Sequence, residues 1–151
     1  MSFEHVCSGI GIPNIYGYLR DVEQIPQSPD VTALIDSARD RTAAIVSHAV
    51  DRTNPSELCT ATVDTFVSIL AAEAGNLAVK VLATGGVYIA GGVAGHTLAA
   101  LRKPAFMDSF KRKGRFADLM GRIPIHVIVS SAGLAGAAAY GLRNPPDFNS
   151  N

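Results

Sequence analysis

Cysteine is scarce in this chain: Cys7 and Cys59 stand alone, with no CxxC spacing. That excludes a disulfide framework and a structural zinc site, and it makes a reducing cytoplasm the expected location. Net charge is missing as well, because thirteen basic residues balance thirteen acidic ones. A neutral chain lacks the electrostatic footprint that a phosphate backbone demands, so nucleic acid is not an expected partner. Near-zero charge instead favours self-association. The first residues carry Glu4 and show neither the basic start nor the apolar run of a signal peptide. The apolar stretch from Ile69 to Ala83 is interrupted by Glu73, Asn76 and Lys80 and falls short of the roughly 18 residues a spanning helix needs, so no membrane segment is expected.

Familiar catalytic signatures are missing too. There is no GxxxxGK[ST] loop and no GxSxG elbow, and neither cysteine has a local base. His5, His48, His96 and His126 are scattered, none three or four residues from another histidine or a cysteine, so no metal ligand set is indicated. Ser8-Gly9-Ile10-Gly11 leads toward a helix but follows no strand, which makes it a poor dinucleotide fingerprint. No catalytic residue and no metal ligand is assigned on this basis.

What remains is a chain of 151 residues, 48% hydrophobic and 17% charged, which fits one globular domain with a real core and an apolar surface. Pro13 suits the first turn of a helix whose apolar residues are Ile15, Tyr18, Leu19 and Val22. Ser28 or Asp30 caps a second helix expected to run to about His48, with Leu34, Ile35, Ala38, Ile45 and Val46 on one face. Asn54-Pro55-Ser56-Glu57 starts a long central helix from Leu58 to about Ala83, where small residues around Ala71 to Ala78 permit close approach of another backbone. Lys111-Arg112-Lys113-Gly114-Arg115, the one basic run, reads as a solvated surface with a glycine turn. Strands are expected at Val87 to Ala90 and Ile125 to Val129, with a final helix from Leu134 to about Leu142. Helices intervene between the two strands, an order that calls for parallel pairing. Two strands are few for a parallel sheet, so further strands are expected to lie outside this chain.

The most informative segment is Gly85-Gly86-Val87-Tyr88-Ile89-Ala90-Gly91-Gly92, an apolar strand with a glycine pair at each end. Missing side chains at both ends allow the backbone to approach a flat ligand.

Four segments in order carry a family resemblance. They are Glu4-His5-Val6-Cys7-Ser8-Gly9-Ile10-Gly11 with Ile15-Tyr16, then Phe66 with Ala74-Gly75-Asn76-Leu77-Ala78, then Gly85 to Gly92, and finally Lys113-Gly114-Arg115-Phe116 with Ile123-Pro124-Ile125 and Gly133-Leu134-Ala135-Gly136-Ala137. Together they resemble the C-terminal part of the bacterial-type ATP-dependent glucokinase family, within the sugar kinase, actin and chaperone ATPase superfamily. The resemblance implies a helix-rich α/β fold, a partial ribonuclease H-like (actin-like ATPase) C-terminal domain with few strands, over residues 1–143, followed by a flexible tail at 144–151. It implies that Glu4 hydrogen-bonds glucose hydroxyls, that Gly85, Gly86, Gly91 and Gly92 border the adenosine of ATP, and that Ser8 and Gly9 lie near the hinge and the site. It also implies Mg²⁺ with the ATP. The missing strands would leave a sheet edge or face uncovered, so a homodimer or larger assembly is expected. Members of the family carry an Asp-x-Gly-Gly-Thr phosphate loop, a catalytic Asp and a Gly-Glu-Gly-Gly-His stretch, and none of these occurs in the 151 residues. Phosphoryl transfer needs a base and charge stabilisation at the phosphates, so the chain is not expected to turn over alone.

Overall fold

The computed structural model describes residues 3–51, 53–130 and 132–144. Its organising element is a 25-residue helix, α5 (Glu57–Val81), on which α2 (Gly11–Asp21), α4 (Arg41–Val50) and α8 (Pro104–Lys111) pack. The start signal read from the sequence holds: Ser56 is the N-cap, and its hydroxyl accepts a hydrogen bond from the Cys59 amide at 3.0 Å. Leu82 ends the helix in the left-handed region at φ 49°, where its amide and that of Ala83 close onto the last carbonyls. Buried residues recur along α5 as Leu58 and Cys59, Thr62 and Val63, Phe66 and Val67, Ala71, Ala74 and Gly75, then Ala78. This three-and-four spacing keeps one broad stripe in the core for the whole length. Among the described residues α5 alone is long and apolar enough to cross a membrane, and half of that stretch is buried inside the protein.

Two expectations for the amino-terminal helices are corrected. In α2 the buried face is Ile12, Ile15 and Tyr16, while Tyr18 and Val22 are exposed. Pro13 lies in the first turn as expected, but the buried stripe runs through Ile12, Ile15 and Tyr16, which leaves Tyr18 outside it, where its hydroxyl donates to Glu23 at 2.8 Å. The single helix expected to reach His48 is two: α3 (Pro29–Ser37) and α4, broken at Ala38, whose ψ of 135° is extended. Asp40 accounts for the restart, because its carboxylate accepts a hydrogen bond from the Ala43 amide at 2.9 Å and so caps α4. The buried stripe of α3 runs through Val31 and Ile35, which leaves Leu34 exposed, while Ile35, Ile45 and Val46 are buried as expected.

The sheet has two parallel strands, β1 (Val87–Ile89) and β2 (Ile125–Val127), with Val87 opposite Ile125, Tyr88 opposite His126 and Ile89 opposite Val127. Between them lie α6 (Gly92–His96), α7 (Leu98–Leu101), α8, a 3₁₀ turn at Gly114–Phe116 and α9 (Ala117–Met120). Parallel pairing across a helical crossover is what the element order requires. The basic run is less solvated than its composition implies: Lys113 is half-buried and donates its ammonium to the Ala72 carbonyl at 2.8 Å and to Asn76 Oδ1 at 2.7 Å. It ties the end of α8 to α5. The last helix, α10 (Ala132–Arg143), buries none of its residues. Of the expected tail at 144–151, all but Asn144 lies outside the described residues.

Candidate functional site

The short helix α1 (Glu4–Cys7) presents Glu4, and three hydrogen bonds hold it and the turn that follows. Ser8 Oγ donates to the Glu4 carbonyl at 2.7 Å, Asn14 Nδ2 donates to the His5 carbonyl at 2.9 Å, and Thr42 Oγ1 donates to the Gly9 carbonyl at 2.6 Å. Gly11 allows the start of α2 to sit directly on this segment, since a Cβ there would meet the Val6 backbone carbon at 2.6 Å. The Ser-Gly-x-Gly pattern is therefore a packing device that fixes the glutamate's helix against α2 and α4.

Glu4 opens onto a cleft of about 720 Å³. One wall is α4, which offers Thr42, Ala43, Val46, Ser47 and Val50 at helical spacing, with its cap Asp40 at one end. The other wall is α6, through Gly92, Val93 and His96, and the turn from Ser8 to Ile10 joins the two. The size falls within the range of small-molecule sites, and the mixture of apolar walls with a few polar groups is typical of them. Glu4 and Gly92, 88 positions apart in the chain, thus face one cavity.

The four candidate glycines do not form a single surface. Gly92 lines the cleft and Gly91 stands beside it as the N-cap of α6, with φ 113° and ψ 170°, a conformation open almost solely to glycine. Gly86 lies at the other end of β1 and lines a separate groove of about 440 Å³ with Cys7, Glu73 and Tyr88. Its φ of 128° and the Pro124 carbonyl, 3.2 Å from where a Cβ would stand, give it a structural reason to be glycine. Gly85 is exposed, with open space around it.

Neither thiol is activated. Burial pushes the Cys7 thiol up, and the Glu73 carboxylate adds to that shift. Burial also raises Cys59, although hydrogen bonds from Ser56 and Gln27 oppose it. A raised thiol carries less thiolate, so neither is a poised nucleophile. Among the described residues, no three histidine, cysteine or acidic side chains gather into a metal site.

Reading the sequence missed the α4 wall, Asp40 and His96. The signal for the wall was present in the spacing of Ala43, Val46, Ser47 and Val50, but it was hidden by treating α3 and α4 as one helix with one buried face.

Comparison with known proteins agrees with this arrangement. The family described as glucokinase matches residues 1–144. A glucokinase of Nostoc punctiforme is 36% identical over 95% of this chain and 45% of its own length. A glucokinase of Synechocystis is 37% identical over 91% of this chain and 41% of its own length. The crystal structure of a glucokinase from an Antarctic psychrotroph superposes with TM-score 0.73 at 29% identity, covering 95% of this chain and 41% of that one. The chain thus spans less than half the length of these relatives, and it shares their actin-like ATPase fold as a helix-rich part with a small parallel sheet. With four ordered segments, a cleft that joins the first to the third, and matches running nearly end to end, the chain belongs to the glucokinase family.

Proposed function

We propose that these residues form one side of a glucokinase site, in which the γ-phosphate of ATP passes to the 6-hydroxyl of glucose with Mg²⁺. The observation that carries this reading is that Glu4 and Gly92 line the same cleft. Glu4 is the acceptor for sugar hydroxyls, and the Gly91-Gly92 turn borders the adenosine. A carboxylate suits a sugar because it accepts hydrogen bonds from two hydroxyls at once. The described residues do not fit a magnesium site, since no acidic cluster forms among them. Nor do the 151 residues hold the family's phosphate loop or catalytic aspartate. On this reading the chain on its own is inactive. A coupled assay on the purified chain, made in a host lacking glucose kinases, is expected to show no glucose phosphorylation; robust turnover overturns the reading. A glucose titration followed by amide chemical shifts tests the sugar role. Glu4→Gln should weaken binding about tenfold, the worth of one hydrogen bond to a charged group.

A second reading, a non-catalytic binding or assembly module, is favoured by α10, an apolar helix with no buried residue. On either reading we place the chain in the cytoplasm as a homodimer or larger assembly, without nucleic-acid or membrane partners. The two free thiols and balanced charge support that placement.

A further inference from the structure

Zero net charge conceals two oppositely charged halves. Residues 1–64 hold nine of the thirteen acidic side chains and four of the thirteen basic ones, and residues 65–151 hold the reverse. The basic excess is concentrated: seven cations and two carboxylates fall between Arg102 and Arg122, across α8, the 3₁₀ turn and α9. Lys103 is taken by Asp64 and Lys113 by Asn76. Arg112, Arg115 and Arg122 are exposed, and among the described residues they form no ion pair. Half-buried Lys111 is likewise without one, and its Cδ lies 3.8 Å from where a Cβ on Gly121 would stand, which brings it beside Arg122. The other end of the molecule is its complement. Glu23, Asp30 and Glu57 are exposed carboxylates that form no ion pair among the described residues. They gather at the start of α5, because Ser56 donates its hydroxyl to Gln27 Oε1 at 2.8 Å, and Ser28 and Val31 line one small cleft with Glu57. α5 holds the two clusters apart. The tie from Lys113 falls on Asn76, nineteen residues beyond Glu57 and so about 28 Å along the helix.

We propose that the surface from Arg112 to Arg122 is a docking face for the acidic end of a second copy of this chain, around Glu23, Asp30 and Glu57. The inference rests on the assembly reading above, and it adds which surfaces meet. Opposite clusters on one kind of molecule steer copies together and fix their orientation. A small anion is the poorer fit, because none of the clefts described above is lined by Arg112, Arg115 or Arg122. A long polyanion is poorer too, since the acidic half repels it. Joining two different surfaces leaves a free basic face on one copy and a free acidic end on the other, so copies add head to tail. The basic face lies at the starting ends of the strands, where the Val87 amide donates to the Pro124 carbonyl at 2.9 Å, whereas the cleft lies at their finishing ends beside Gly92.

Sedimentation velocity of the 151-residue chain at two salt concentrations tests it. Raising salt from about 0.01 M to about 1 M shortens the screening length from about 30 Å to about 3 Å, and association is expected to weaken about tenfold or more. Apolar pairing survives that change. Arg112→Glu with Arg122→Glu, and separately Asp30→Lys with Glu57→Lys, should each remove the salt-sensitive part while keeping the thermal midpoint, and an equimolar mixture of the two variants should regain it. Asp30→Asn with Glu57→Gln replaces the lysine variant should reversal at two helix starts prevent folding, and it is expected to lose the salt-sensitive part in the same way. Equal association at both salt concentrations, or variants that associate as the parent does, overturns the inference and leaves the assembly reading standing. No association at either concentration overturns both. Arginine variants that associate normally but lose retention on immobilised nucleic acid assign the face to a foreign polyanion and likewise overturn the inference.

Discussion

At the scale of single residues, the glycines separate into those the backbone requires and those it does not. Gly75 lies inside α5, where a Cβ would stand 2.6 Å from the Phe110 carbonyl oxygen and 2.6 Å from Lys113 Cε. The lysine can swing aside, but the carbonyl belongs to α8 and moves only with that helix. Gly75→Ala should therefore destabilise the fold by about 1–3 kcal/mol through overpacking, against the gain in helix propensity that alanine brings elsewhere. Denaturant unfolding of the two chains measures this, and an unchanged midpoint would show that α8 is not held as closely as described. Gly92 is the counter-case. It has ordinary backbone angles and nothing within 4 Å of a would-be Cβ, so Gly92→Ala should leave stability unchanged or raise it by about 0.4–1 kcal/mol. A methyl there enters the cleft. Reduced adenosine affinity in a variant of undiminished stability would separate a ligand's need for glycine from the fold's need.

At the scale of elements, the polar residues at helix starts carry more of the design than composition reveals. Asp51 stands at the end of α4 and accepts hydrogen bonds from the Thr53 amide at 2.7 Å, the Thr53 hydroxyl at 2.7 Å and the Asn54 amide at 3.3 Å, shaping the turn into α5. The Thr53 hydroxyl and amide hold its carboxyl below the ordinary value of 3.8. A carboxylate depressed in the folded state adds stability that is present above the unfolded value and lost as pH falls through the folded one. Acid unfolding followed by circular dichroism should thus be less steep below about pH 4 in Asp51→Asn than in the parent chain. Equal pH profiles would remove Asp51 from the account. These short-range polar contacts also mark how far the sequence could be read. The central helix was legible because Ser56 and Glu57 announce its start and a continuous three-and-four stripe follows. Parallel strands were legible because helices separate two β-branched runs. The split between α3 and α4 was not, because Asp40 has the same composition cue as Asp30 and only its own extended backbone and its bond from the Ala43 amide make it a cap. Nor was the cleft, since Glu4, Ser47 and His96 meet through tertiary packing that no local period encodes.

At the scale of the whole molecule, the described part leaves apolar and hydrogen-bonding surface uncovered. With two strands in the sheet, each has one edge without a strand partner among the described residues. A groove of about 550 Å³ beside β2 is lined by Leu98, Phe106, Met107, Ile125, Val127 and Val129. α10 adds Leu134 at 79% exposure and Leu142 at 85%. Open strand edges and apolar patches on a chain of zero net charge favour pairing between copies. Sedimentation velocity over a range of concentrations should accordingly show association that grows with protein concentration. The share carried by α10 can be isolated, because side chains that bury nothing can be changed at little cost to the fold. Leu134→Lys with Leu142→Lys should keep the thermal midpoint, within about 0.5 kcal/mol of stability, while shifting the molecule toward monomer. If association persists in that double variant, the groove beside β2 or the strand edges carry it, and Val129→Lys on the groove's rim is then expected to produce the shift that the α10 variant did not.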